Sequence, residues 1–401
     1  MTAPPPWTDE GRQDPMPWYR QMRARSACAD VPELGVAMLF GHDAVRSALM
    51  DDETFSIERR IAMMPARQRR VSNVADTLVG LDPPEHTRLR RLVTPAFRQA
   101  AVRAMRPRIE AISRDLFDAA LPRGEFDFVD AYARPLTETV IAEQLGIPAE
   151  HRDLYTHLSI VLERAAGKFV GETLPEDQLA ETEVAYDTYA EFTEDVIAER
   201  RANPRADLIS DLIRAVDETD QLSWHELLKM TILLNVAGAV TTQTLIAITV
   251  VELARHPQAW ELLKQRRELI PNAVDEVLRF HGTSQSISRV TTRDTEIDGC
   301  PIPAGSTVLL GLQSANRDPA VFPDPDTFDV TRPAGRHMAF GFGTHYCLGA
   351  ALAKTETAVF LEQWLDRVDS FSCPPDPLDW ARRRLTAIVL DSLPVRVELV
   401  A

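Results

Sequence analysis

The chain has 401 residues, 45% of them apolar, and 60 acidic against 44 basic side chains give a formal charge of −16. That balance argues against nucleic-acid binding as the main task, and no run approaches the eighteen or so apolar residues of a membrane span. The four cysteines, Cys28, Cys300, Cys347 and Cys373, form no CxxC pair, so neither a zinc site nor a redox dithiol is expected and a reducing cytoplasm fits.

Residues 1–15 are Pro-rich and read as an irregular N-terminal arm; MTAPPPWTDEGRQDP has neither the basic start nor the apolar stretch of a signal peptide. By length alone the chain, with residues 16–401 following that arm, could hold two or three domains. PWYRQMRAR reads as a short helix, VAMLFG as a strand and HDAVRSALMD as a helix. From Glu58 to Gly80 no period is sustained. A surface loop and a functional lid both fit there, and Met63 and Met64 would suit an adaptable apolar wall. In LDPPEHTRLRRLVTPAF, His86 and Arg90 are four apart and share a helix face. Residues 98–220 read as amphipathic helices broken at LPRG, GIPAE and ANPRAD.

Ser223 and Glu226 form a capping-box pattern ahead of about thirty Pro-free, mostly apolar residues. A helix apolar on most sides belongs in a large core. Inside it lies Ala237-Gly238-Ala239-Val240-Thr241-Thr242; close helix packing alone would account for the small residues. Glu276 and Arg279 are spaced i, i+3, which on a surface would be an ion pair of little worth. SQSISRVTTRDTEIDGCPIPAGSTVLL alternates like strands and turns at IDGCPIPAG. RRRLTAIVLDSLPVRVELV reads as a closing hairpin.

The stretch Phe340 to Lys354, FGFGTHYCLGAALAK, sets a Gly-rich turn ahead of Cys347 and a helix-like run after it. A thiolate at a helix N-terminus meets unpaired N–H groups and the positive end of the dipole, which lower its pKa and suit it to a cation. A lone Cys is otherwise a small buried hydrophobe.

Phe340, Gly343, His345, Cys347 and Gly349 fit FGxGxHxCxG. The segment resembles the haem-binding loop of the cytochrome P450 family, the haem-thiolate monooxygenases. Three further segments fall in the family's order. AGAVT at residues 237–241 resembles its oxygen-side helix motif, Glu276-x-x-Arg279 lies between that helix and Cys347, and DPPEHTRLRRL carries His86 and Arg90. The resemblance covers nearly the whole chain. It implies the cytochrome P450 fold, mainly α with minor β sheets, and a single domain.

By that resemblance Cys347 is the thiolate ligand of the iron of haem b (iron protoporphyrin IX), pushing electron density onto the metal. Phe340 shields the sulfur, and the N–H groups of Leu348 and Gly349 tune it. His86, Arg90, Arg289 and His345 hold the propionates. Small Ala237 and Gly238 leave room for dioxygen, and Thr241 is the oxygen-side alcohol. Glu276 and Arg279, with Phe328, Asp329 and Arg332, fix the segment before the thiolate loop, and residues 158–174 fall where the family has a lid. The implied partners are a small organic substrate, dioxygen, a ferredoxin and its reductase, without nucleic acid or membrane; Arg98, Arg103, Arg106 and Arg108 would suit a basic docking patch.

One residue departs from the family pattern. The acid before the oxygen-side Thr is Val240 here, and a Val neither donates nor accepts a proton. An atypical oxidation (coupling, desaturation or peroxide-driven chemistry) therefore stands beside hydroxylation, and a non-enzymatic haem or ligand-binding protein stands behind both.

Overall fold

The structure, a computed structural model, describes residues 3–166, 174–217, 222–333, 335–374 and 385–400. Helices dominate, and the strands gather into small sheets of five, three and two. The chain divides into two compact units, one of Met1–Phe55, Arg106–Leu136 and Thr241–Ala401, the other of Ser56–Met105 and Thr137–Val240.

The first unit holds four strands of the larger sheet, in sheet order Cys28–Val31, Val36–Leu39, Thr307–Leu310 and Ile287–Thr291. Its central strands, VAML and TVLL, are buried at every position, so they read as continuous apolar runs and not as alternation. The expected turn at IDG is present. Asp298 and Gly299 both take positive φ between the paired strands Thr295–Ile297 and Cys300–Ile302, as a two-residue hairpin loop requires. The last strand, Pro394–Leu399, does not close a hairpin with the described residues just before it. It lies between Glu125–Asp127 and Val368–Ser372. An aromatic cluster of Phe117, Phe128, Tyr132, Phe360 and Trp364 packs against the helix Ala350–Arg367; the rings of Phe117 and Tyr132 stack at 4.0 Å.

The N-terminal stretch expected to be irregular contains a helical turn, Asp9–Gln13, capped by the Thr8 hydroxyl, and the Trp7 ring meets Trp18 edge-on at 5.2 Å. A short polar cap and one aromatic contact order a segment whose prolines hid both.

In the second unit Glu58–Gly80 also departs from expectation. It starts within a helix, Ile57–Ala62, and holds a second, Ala66–Arg70. Arg67 and Arg70 of that stretch form exposed ion pairs with Glu176, Glu183 and Asp187. Charge pairing and not apolar periodicity holds these turns, which is why no period showed. The predicted helices after residue 98 are found, but strand Glu125–Asp127 and a π-helical turn, Val129–Ala133, interrupt them. Of the lid expected at residues 158–174, residues 158–166 close the helix Arg152–Ala166, and 167–173 lie outside the described residues.

The helix Trp224–Arg255 opens as its capping box predicted. Glu226 N–H donates to Ser223 Oγ at 3.2 Å, and Ser223 N–H to Glu226 Oε2 at 2.7 Å. It is long and apolar enough to cross a membrane, but 83% of its most apolar window is buried inside the protein, as befits a core helix.

Candidate thiolate and oxygen-side site

The loop before Cys347 is shaped by glycine. Gly341 and Gly343 adopt φ of +70° and +71°, and a Cβ on Gly343 would stand 2.6 Å from the Leu49 carbonyl oxygen. Both conditions exclude other residues. The Cys347 N–H then donates to the Phe340 carbonyl at 2.9 Å, which closes the loop, and the helix Ala350–Arg367 begins directly after Gly349. Cys347 is exposed whereas Cys28 is buried. It is therefore not a core hydrophobe: the loop leaves Cys347 exposed just before a helix start. Phe340, expected to shield it, is half-buried.

A support that sequence reasoning missed is Asp275. Its carboxylate receives His337 at 3.0 Å and Lys354 at 2.5 Å, and Lys354 lies 5.8 Å from the centre of the Phe340 ring. Burial raises the Asp275 pKa, but the hydrogen bonds from His337 and Lys354 outweigh it and hold the group below its usual range. The thiolate helix, the loop before it and the helix Ile270–His281 thus share one carboxylate. Lys354 ends the motif-bearing stretch and was the available signal, but its partner stands on a separate helix far back in the chain.

That same helix carries Glu276 and Arg279, each 2% exposed. Arg279 donates from Nε and Nη2 to both oxygens of Glu276 at 2.7 Å, and from Nη1 to the carbonyls of Asn316 at 3.0 Å and Pro325 at 2.8 Å. The Asp329 N–H donates to Glu276 at 2.9 Å, and Arg332 reaches it at 3.4 Å. The pair is therefore buried and fully engaged, and it fixes the segment ahead of the thiolate loop, as expected. Phe328 is buried and stacks on His256 at 4.7 Å.

Between Leu227 and Leu253 every residue of the central helix is buried except Ala237, Gly238 and Thr241. Their i, i+1, i+4 spacing makes one open notch on a covered helix. Gly238 also serves packing, since a Cβ there would meet Ile141 at 3.0 Å. Val240 is buried. Asn235 and Gln243, polar residues of the same helix, are committed elsewhere. Asn235 donates to Ser159 at 2.8 Å and to Tyr189 at 2.5 Å, and Gln243 to the Leu390 carbonyl at 3.0 Å.

Of the remaining predicted residues, His86 and Arg90 share the helix Glu85–Phe97, with His86 buried and Arg90 half-buried. Arg289 lies buried on the strand Ile287–Thr291, and His345 is half-buried within the thiolate loop. Cys347, His345, Phe340, Gly349, Arg289 and Thr241 belong to the first unit, and His86, Arg90, Ala237 and Gly238 to the second. Within the first unit, an exposed Cys at a helix start with a half-buried His345 and a buried Arg289 has donor chemistry suited to an iron porphyrin with anionic edges. At Gly349 a Cβ would meet nothing within 4 Å, so the backbone beside the sulfur stands open.

Residues 168–399 match the cytochrome P450 family. Over 95% of its length the chain is 35% identical to 6-deoxyerythronolide B hydroxylase of Saccharopolyspora erythraea, covering 96% of that protein. The chain belongs to the cytochrome P450 family. Among solved structures, cytochrome P450 CYP109Q5 from Chondromyces apiculatus superposes with a TM-score of 0.87 at 32% identity, over 98% of this chain and 97% of that one. The cytochrome P450 enzyme CxnD, for C–S bond formation in chuangxinmycin biosynthesis, superposes with a TM-score of 0.86 at 33% identity, over 99% and 97%. The chain thus has the P450 fold and is a P450 monooxygenase, an oxidoreductase of a haem-binding family.

Proposed function

We propose that this P450 inserts one atom of dioxygen into a small organic substrate of bacterial secondary metabolism, using two electrons delivered by a separate ferredoxin and its reductase, in the cytoplasm. The observation that carries the reading is the exposed Cys347 in a loop whose positive-φ turns Gly341 and Gly343 permit. Haem b bound there supplies the dioxygen activation that no side chain can perform. Cys347 would hold the iron, with Leu348 and Gly349 N–H groups setting the basicity of the sulfur. His86, Arg90, Arg289 and His345 would hold the propionates through charge-assisted hydrogen bonds. The notch at Ala237 and Gly238 leaves space, and the Thr241 hydroxyl, donor and acceptor at once, can hold a water or pass a proton there.

Because Val240 replaces the acid, protons reach Thr241 through water or from a polar group of the substrate. Relatives named 6-deoxyerythronolide B hydroxylase and mycinamicin IV hydroxylase/epoxidase support the substrate class. A second reading, oxidation without oxygen insertion such as coupling or desaturation, is supported by Val240 and by the relative named for C–S bond formation. Product mass separates them, because hydroxylation adds one oxygen atom and coupling or desaturation adds none.

The test of the haem-thiolate reading is the reduced protein under carbon monoxide. A red-shifted Soret band is expected in the wild type and its loss in Cys347→Ala. A Cys347→Ala protein that keeps both haem and that band overturns the assignment.

A further inference from the structure

The sequence offered no CxxC pair, yet the fold brings together two cysteines from distant parts of the chain. Cys28 starts the edge strand of the larger sheet, and Cys300 starts the second strand of the hairpin Thr295–Ile302. Both pack into one apolar cluster, and Cys300 is the neighbouring side chain that bears most on the ionisation of Cys28. Cys28 belongs to a buried apolar cluster with Leu39, Val308 and Leu310, and Cys300 packs against that same cluster beside Ile297. Both lie in the first unit. We propose that Cys28 and Cys300 are a dithiol site that a low-molecular-weight disulfide oxidises to an intramolecular disulfide, stapling the hairpin to the edge strand.

The two sulfurs differ in access. Cys28 is 2% exposed, and Cys300 is partly exposed. Burial first, and then the neighbouring Cys300 thiol, push the Cys28 thiol up, so Cys28 is the slower to ionise and Cys300 is the entry point. The Cys300 thiolate attacks the disulfide RSSR, giving a mixed disulfide and releasing one RSH. The Cys28 thiolate then attacks the Cys300 sulfur and expels the second RSH. The balance is two protein thiols and one RSSR giving one protein disulfide and two RSH. The cross-link closes a loop running over more than half of the chain, and long loops constrain the unfolded chain most. In a reducing compartment such a bond is transient and responds to oxidant.

The experiment uses the haem-loaded full chain treated with oxidised glutathione, followed by peptide mapping without reductant. A cross-linked Cys28–Cys300 peptide is expected in wild type. In Cys28→Ser, Cys300 should retain one glutathione; in Cys300→Ser, Cys28 should stay unmodified. A persistent glutathione on Cys300 of the wild type, cross-linking of Cys300 to Cys373, or no reaction at Cys300 overturns the proposal. Haem-thiolate function is read separately from the carbon monoxide spectrum, so failure of the dithiol leaves that reading untouched.

Discussion

Thr241 and Val240 are neighbours on one helix and meet different surroundings, one exposed in the notch and the other buried. An acid at 240 would therefore enter a buried position and be held partly neutral by desolvation. With one substrate, Val240→Asp should lower product formed per NADPH, because it perturbs a route that runs through water or substrate; better coupling than wild type would show that the native route lacks a working relay. Thr241→Ala should divert electrons to peroxide and reduce coupled product by roughly tenfold, about 1.4 kcal/mol. Unchanged product and peroxide would leave Thr241 a packing residue. Glu356, buried on the thiolate helix, gives a pH prediction. Burial raises its pKa well above the ordinary 4.5. The folded state thus holds a proton that the unfolded state releases, and stability falls as pH rises above about 4.5. Glu356→Gln, which carries no charge to bury, should be more stable than wild type at pH 8, and the gap in urea midpoint should shrink toward pH 5. A constant gap would contradict this.

At the scale of elements, the helix Ile270–His281 connects two pieces of the scaffold around the Cys347 loop. Glu276 and Arg279 fix the segment through Arg332, and Asp275 fixes the thiolate loop through His337 and Lys354. Glu276→Ala leaves Arg279 charged and buried without its carboxylate, at a cost of roughly 3–5 kcal/mol. Against a total stability of about 5–15 kcal/mol, poor expression and low haem content are expected. A haem-replete, active Glu276→Ala protein would refute the role. The central helix depends far less on its first turn. Ser223→Ala removes one reciprocal capping bond and should cost about 1 kcal/mol in urea unfolding, with haem spectra unchanged.

For the whole molecule, a net charge of −16 sets the problem of docking an electron donor. The patch foreseen at Arg98, Arg103, Arg106 and Arg108 is thinner than its sequence. Arg106 is engaged by Glu110 and Glu362, while Arg98 and Arg103 are exposed. If a ferredoxin docks on such cations, its electron transfer should slow as salt rises, since the screening length falls from about 30 Å at 0.01 M to about 10 Å at 0.1 M. Arg103→Glu should slow NADPH consumption at low salt and converge with wild type at high salt. A salt-independent rate would remove charge from the account.

The sequence by itself determined what is local. FGFGTHYCLG, the Ser223–Glu226 cap, the Asp298-Gly299 turn and the helical periods each act within a few residues, so chain order already contained their physics. His86 with Arg90 and Glu276 with Arg279 were legible for the same reason, because a helix converts spacing into shared faces. Tertiary structure decided the rest. Pro394–Leu399 lies between strands that end or begin far from it in the chain. Asp275 finds Lys354 on another helix, and Cys28, near the start of the chain, meets Cys300 in a late hairpin. Burial, too, is decided only once the chain packs: it left Thr241 and Cys347 exposed and covered Val240, although nothing in those residue types distinguishes an exposed position from a covered one.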